Sequence, residues 1–287
     1  MKTLKLKANA KINLFLDIES KKDNGYHNIN SIMQSVSLCD IITLEYTESS
    51  DKKINIICNK EGIPTDSKNI AYKAAERLID SGCVTVKIEK SIPSPAGLAG
   101  GSADAAAVIY GLLKIANINK TDDEVLKIAA GIGADVPFCL TGGNKIISGI
   151  GDIMEDGKNI CCEHVLVAIK GEGVSTPAAY GMLDSKYADF ANYTCKANNT
   201  YNVIESGEGE LFNIFEEVIL PIRPDALSIK QKMLECGASF SLMSGSGPSV
   251  FGIFDTNESL MQAKSALESI GAQVYTCSFT SVGIEEI

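Results

Sequence analysis

The sequence predicts a two-domain α/β protein with a ligand cleft between its halves. Three observations carry this. The chain has 287 residues, long for one hydrophobic core and natural for two. Near the middle, Val84–Lys90 alternates apolar and polar residues as a half-buried strand does. A Gly- and Pro-rich loop follows it and runs into a small-residue helix over Ala105–Leu113. Toward the C-terminus, strands and helices follow one another in a β-α-β-β-α-β-like order, the pattern of a ferredoxin-like domain.

Taken in order, Leu4–Lys7 alternates and Ala8–Ile18 follows as a second, apolar strand that begins around Lys11. Asn24-Gly25 is a strong turn signal just ahead of Tyr26 and His27. Ser37–Glu45 and Ile54–Cys58 read as further strands, and Asn69–Asp80 as a helix with Gly82 just past its end. Thr121-Asp122-Asp123-Glu124 opens another helix in the manner of a capping box. Asp135, two residues before Pro137, has the position of an N-cap for a short helix. The polar residues 151–160 mark the boundary between an N-terminal domain, 1–160, and a C-terminal domain, 161–287. Beyond it, His164–Ile169 is a buried strand whose histidine has no partner cluster, and residues 184–209 lack apolar periodicity and read as loop-rich. Pro224–Cys236 is a helix, and Ser244-Gly245-Ser246-Gly247-Pro248-Ser249 is a second Gly-rich turn between two apolar strands. Helix 257–270 and strand 272–278 complete the second domain.

Composition bounds the function. Lys and Arg number 26 against 36 Asp and Glu, a formal net charge of −10. Such a field repels nucleic acid and acidic membrane surfaces, so a phosphorylated ligand must be held by local donors and metal. The nine cysteines form no C-x-x-C pair, which fits reduced thiols buried as small hydrophobes. No apolar run approaches the ~18 to 20 residues of a membrane span, and no apolar signal segment follows Met1. The expectation is a cytoplasmic protein with no nucleic-acid or membrane partner.

The loop Pro93-Ser94-Pro95-Ala96-Gly97-Leu98-Ala99-Gly100-Gly101-Ser102-Ala103 suits an anion. Glycines let backbone approach a ligand, and a helix N-terminus offers free N–H groups at a positive dipole end. Gly100-Gly101-Ser102 lacks the lysine of a Walker loop, and Gly97-Leu98-Ala99 breaks the dinucleotide fingerprint. On sequence alone a flexible turn competes with a phosphate cradle here. Lys11 could equally be a solvated edge lysine, His27 a surface histidine, and the second Gly-rich turn a plain hairpin.

These signals gain meaning together. Ala10-Lys11-Ile12-Asn13-Leu14, Gly25-Tyr26-His27, loop 93–104, Gly133-Ala134-Asp135-Val136-Pro137 and Gly245-Ser246-Gly247 follow an order that resembles the GHMP kinase superfamily nearly end to end. Gly25-Tyr26-His27 and Ser37-Leu38-Cys39-Asp40-Ile41-Ile42 look like its branch acting on a cytidine-diphospho sugar alcohol, rather than on homoserine, mevalonate or galactose. The resemblance implies an N-terminal ribosomal-protein-S5-like domain beside the ferredoxin-like one. It implies ATP-dependent phosphorylation of a 2-hydroxyl, with Mg²⁺, in isoprenoid precursor synthesis, by a monomer or weak homodimer. Carried over, loop 93–103 wraps the ATP phosphates, Asp135 is the general base and Lys11 its partner. Tyr26 and His27 hold the cytosine, Tyr180 stacks on its other face, and Thr176 and Pro177 lie alongside.

The chemistry asks for these residue types independently. Phosphoryl transfer is mostly positioning and charge stabilisation, so backbone donors, a cation and one base suffice. Two other readings remain: a smaller alcohol such as homoserine or mevalonate as acceptor, and a non-catalytic nucleotide-binding relative. Three positions depart from the family pattern: Ala99 for glycine, Ala103 for serine, and Ile214 for aspartate in Asn213-Ile214-Phe215-Glu216. Ala99 is tolerable if its φ stays below zero. Alanine at 103 removes one candidate phosphate or metal contact.

Overall fold

The computed structural model describes residues 1–287. Two sheets organise the fold. The first is built on β1 (Lys2–Lys21) and β2 (His27–Thr47), joined by the Asn24-Gly25 turn, where Gly25 has φ of +84°. β3 (Lys52–Cys58), α1 (Ile70–Leu78), β4 (Gly82–Glu89), α2 (Gly100–Ile115), α3 (Asp122–Ala130) and α4 (Val136–Thr141) follow. β5 (Asn144–Ser148) and β6 (Ile153–Asp156) form a hairpin whose first strand pairs with β2.

Sequence reading made two strands of β1; the structure makes it one. A register shift against β2 between Asn9 and Ala10 changes the phase of the side-chain alternation, which looks like a break in the pattern. From Leu6 onward nearly every residue of β1 is buried, because the strand is covered on both faces. α2 begins five residues earlier than its apolar run suggested, and its small residues let it lie close to the sheet. At Gly111 a Cβ would collide with Leu44. Both hydrogen bonds of the expected capping box form at α3: Thr121 N–H donates to Glu124 Oε2 at 2.8 Å, and Glu124 N–H to Thr121 Oγ1 at 3.3 Å. Asn69 caps α1, which stops at Leu78, and Gly82 proves to be the first residue of β4 instead of a helix end.

The second sheet has the order β11-β7-β10-β9, with every pair antiparallel. Its parts are β7 (Val165–Ile169), α8 (Pro224–Glu235), β9 (Ala238–Met243), β10 (Val250–Phe254), α9 (Asn257–Ser269) and β11 (Gln273–Cys277). This is the β-α-β-β-α-β arrangement expected from the sequence. Between β7 and α8 the chain inserts α5 (Thr176–Tyr187), α6 (Thr200–Ser206), β8 (Phe212–Asn213) and α7 (Glu216–Ile219). The region read as loop-rich thus holds the end of α5 and all of α6. Its order comes from an aromatic cluster, Tyr187, Phe190 and Tyr193, and from Asp17, which accepts from Tyr193 Oη at 2.8 Å and Lys196 N–H at 2.7 Å. Tertiary contacts of this kind leave no helical period in the sequence.

The halves are stitched together. β8 pairs with Phe15 and Leu16 of β1, and β12 (Ile284–Glu286) closes the edge of the first sheet against β1. One buried apolar cluster runs through both sheets. All nine cysteines are free, and no helix is long and apolar enough to cross a membrane.

Candidate active site

A cavity of about 780 Å³ opens between the two sheets. Lys11, Tyr26, His27, Asp135, Thr176, Pro177 and Tyr180 line it, with loop residues 93–97 and 99–102 and Gly245 and Ser246 of the second turn. Residues from distant parts of the chain therefore meet in one place.

The Gly-rich loop before α2 is an array of unused donors. The N–H groups of Ser94, Ala96, Gly97 and residues 99–102, which line the cavity, donate to no acceptor within the chain. Those of Gly245 and Ser246, in the second turn beside the loop, are likewise free. Buried loops normally satisfy such groups, so donors converging on one cavity mark an anion site. The two loops are locked together: Ser244 Oγ donates to the Gly97 carbonyl at 3.0 Å, and a Cβ on Gly97 would run into the Ser244 carbonyl. Gly97 also has φ of +76°. Gly97→Ala is expected to raise the KM for ATP at least roughly 10-fold. It should also lower the melting temperature by roughly 5 °C, from about 2 kcal/mol of backbone strain and displacement. Unchanged ATP saturation and melting would disprove this coupling of the loops.

Three expectations about this loop need correction. Ala99 does not keep φ below zero; it sits at φ 56°, ψ 29°, in the left-handed region, at a cost of about 1 kcal/mol. It tolerates the position because it is the last residue before α2, where the chain must turn. Leu98 does not line the cavity: its side chain is 1% exposed and packs in the core, while its carbonyl accepts from Lys11 N–H at 3.2 Å. Ala103 is fully buried, and its N–H already bonds the Ala99 carbonyl, so the missing hydroxyl costs no cavity contact.

Beneath the loop lies a buried charge cluster that sequence reasoning missed. Asp40 accepts from the N–H groups of Ser91 and Ile92 at 2.6 and 2.9 Å and binds Lys90 Nζ, which reaches Asp104 at 2.9 Å. Burial pushes the Asp104 carboxyl well above its ordinary range against the pull of Lys90, and Asp40 adds to the rise. Burial lowers Lys90, but the two carboxylates outweigh it and hold its ammonium above the usual value. Asp104, at the start of α2, points into this cluster and does not line the cavity. The cluster ties the strand entering the loop to the helix leaving it.

Lys11 is no edge lysine. It is 4% exposed, its Nζ donates to Asn13 Oδ1 at 2.6 Å, and it lies 4.0 Å from Asp135 Oδ2. Asn13 in turn donates to Ser31 Oγ at 2.9 Å, which donates to the Phe15 carbonyl at 2.6 Å. The ammonium is thus aimed by a hydrogen-bonded chain along β1 and β2. Asp135 occupies the N-cap position of α4, yet its side chain makes no capping hydrogen bond and stays a third exposed, facing the cavity. The expectation of a structural cap is half right: the backbone caps, and the carboxylate is free for chemistry.

Asn213 and Glu216 hold the second turn. Asn213 Nδ2 donates to the Met243 and Gly245 carbonyls at 2.7 and 2.8 Å, and Glu216 Oε1 accepts from Met243 N–H at 2.9 Å. Ile214 between them is fully buried, so at this position the chain packs an apolar side chain into the core. The Asn-x-Phe-Glu spacing was the available signal for this role.

At the other end of the cavity Tyr26 is 59% exposed, whereas His27 is 8% exposed. Tyr180 stacks on His27 with ring centroids 4.6 Å apart, so no base fits between these two rings. His27 and Tyr180 therefore stack directly on each other, and Tyr26 lines the same cavity. Burial, helped by Asp135, pushes the Tyr180 phenol up to about 12, so it stays neutral. His164 has no part in this site; its carbonyl accepts from Phe254 N–H.

The sequence matches the family described as GHMP kinases N terminal domain over residues 69–143 and GHMP kinases C terminal over 204–274. The chain is 42% identical over 258 residues to a 4-diphosphocytidyl-2-C-methyl-D-erythritol kinase of Clostridium botulinum (strain Alaska E43 / Type E3), covering 87% of this chain and 90% of that protein. It is 39% identical over 280 residues to one of Alkaliphilus metalliredigens (strain QYMF), covering 94% and 93%. The chain belongs to this kinase family. A crystal structure of 4-(cytidine 5'-diphospho)-2C-methyl-D-erythritol kinase superposes with a TM-score of 0.81 at 25% identity, covering 96% of this chain and 99% of that one. The protein is accordingly an ATP-dependent small-molecule kinase of GHMP type.

Proposed function

We propose that the kinase phosphorylates the 2-hydroxyl of 4-diphosphocytidyl-2-C-methyl-D-erythritol in the non-mevalonate route to isoprenoid precursors. The observation that carries this is the Lys11–Asp135 pair in a cavity that the loop with its free donors and Tyr26 and His27 also line. Asp135 accepts the proton of the 2-hydroxyl as that oxygen bonds to the γ-phosphorus, and the bridging oxygen leaves with ADP. Lys11, oriented by Asn13, stabilises charge on the transferred group. The loop N–H groups hold the phosphates. Thr176, whose Oγ1 lies 3.0 Å from Ser246 Oγ, and Pro177 form the wall beside the reacting end.

Mg²⁺ fits this cavity. It usually takes few protein ligands together with phosphates and water, and Ser102, a hydroxyl-bearing residue, lines the cavity at the start of α2. Ser102 would hold the ion there, and the ion would supply positive charge to the transferring phosphoryl group. We place the working protein in the cytoplasm as a monomer or weak homodimer, built as an N-terminal domain of residues 1–160 and a C-terminal domain of 161–287.

An ADP-release assay with the cytidine-diphospho acceptor, homoserine and mevalonate in parallel tests the reading. Turnover is expected only with the first. Tyr26→Ala and His27→Ala should each raise acceptor KM at least roughly 10-fold, since each removes stacking area or a buried polar contact, and leave the KM for ATP unchanged. An acceptor KM indifferent to both changes would favour a smaller alcohol.

A further inference from the structure

Asp184 lies on α5, one helical turn beyond Tyr180, and nothing in the sequence pattern drew attention to it. Its Oδ1 is 2.6 Å from His27 Nε2, and its Oδ2 accepts from Lys21 Nζ at 2.9 Å. Tyr180 stacks on the same imidazole, and Phe190 meets it edge-on at 5.7 Å. The ring is therefore fixed by a stack, an edge contact and an ionic hydrogen bond. Burial raises the Asp184 carboxyl, but Lys21 and His27 outweigh it and hold it below the ordinary carboxylate range. An ionised carboxylate only accepts, so the nitrogen facing it, Nε2, carries a proton. His27 Nδ1 makes no hydrogen bond with the protein, is not among the buried unpartnered atoms, and belongs to a residue that lines the cavity. In the neutral ring that nitrogen is a bare acceptor.

We infer that Asp184 is a positioning residue for base selection: by keeping the proton on His27 Nε2 it presents Nδ1 as an acceptor, which selects a pyrimidine with an exocyclic amino group over one with a 4-oxo group. Cytosine offers the N4 amine as a donor where a 4-oxo pyrimidine such as uracil offers an acceptor. A site built to accept such a hydrogen bond rejects the analogue that cannot donate it, because two acceptors would face each other. Lys21 supports the arrangement by occupying the other carboxylate oxygen. The inference rests on the cytidine-diphospho acceptor proposed above.

The test uses the full-length enzyme with the cytidine-diphospho acceptor and its uridine counterpart. In Asp184→Asn, Lys21 keeps the amide oxygen as its acceptor and the amide NH₂ turns to His27, which moves the ring proton to Nδ1. The expected result is a rise of roughly 10-fold in KM for the cytidine acceptor with kcat little changed, an unchanged KM for ATP, and a fall of at least roughly 10-fold in the cytidine-to-uridine ratio of kcat/KM. Asp184→Glu restores the carboxylate and should recover much of that ratio. Equal losses on both acceptors, or an unchanged ratio in a folded Asn variant, overturn the inference while leaving the cytidine reading intact. A wild-type enzyme that ignores the cytidine acceptor defeats both.

Discussion

Asp135→Asn is expected to cut kcat about 10³-fold while the protein folds and binds ATP as before. General-base catalysis contributes about 10² to 10⁴, and an asparagine at the same place keeps the shape but cannot take the acceptor proton. The structure separates this effect from a folding defect. The Asp135 side chain makes no capping hydrogen bond at α4 and is a third exposed, so the change removes no helix cap and asparagine keeps the shape beside Lys11. The backbone features that start α4, the Asp135 carbonyl bonded to Cys139 N–H at 3.0 Å and Pro137 in the first turn, remain. Single-turnover kinetics with saturating ATP and acceptor, together with calorimetric ATP binding, would read the two separately. Turnover within a few-fold of wild type would remove Asp135 from the mechanism.

How much of this site could be read from the sequence depended on how local each constraint is. Gly97 and Gly100-Gly101-Ser102 are legible because a chain that must expose its own N–H groups needs glycine and a helix start within a few residues. Asp135 is legible because a carboxylate before Val136-Pro137 is a helix-start signal, though the sequence could not say that its side chain is left unbonded. Ala99 misled because alanine disfavours the left-handed region that the structure nonetheless gives it. The β1 register shift at Asn9/Ala10 broke the alternation that strand reading relies on. Asp184 and His27 are 157 positions apart, and Lys90 joins Asp40 and Asp104 across 50 and 14. Such pairings exist only once the sheets are assembled, and no periodicity encodes them. The ferredoxin-like half was legible because its strands and helices each carry their own apolar pattern, whereas the inserted segment near 184–206 is held by hydrogen bonds to distant residues, Tyr193 and Lys196 to Asp17 and Tyr201 to Asn144.

Lys11→Met should lower kcat by about 10² to 10³ with a smaller change in acceptor KM, and Lys11→Ala should lower it further. Lys11 is buried, so its removal has two consequences that must be told apart. Methionine keeps most of the side-chain volume between β1 and the second turn, where Lys11 Nζ lies 3.4 Å from the place a Gly245 Cβ would take. It therefore isolates the lost charge, whereas alanine also leaves a cavity costing roughly 2 kcal/mol or more. In both variants Asn13 Oδ1 loses its 2.6 Å donor, a penalty of about 1 to 3 kcal/mol that falls on stability as well as on turnover. A charge that acts on the transferred phosphoryl is worth most in the transition state, so the loss appears in kcat more than in binding. The double variant with Asp135→Asn decides whether the two residues act as a unit. If Lys11 orients or stabilises the same proton transfer that Asp135 performs, the combined loss falls well short of the product of the single losses. Strict multiplication of the two effects would mean that Lys11 serves the phosphates alone, and that the 4.0 Å approach of the pair is proximity without shared work.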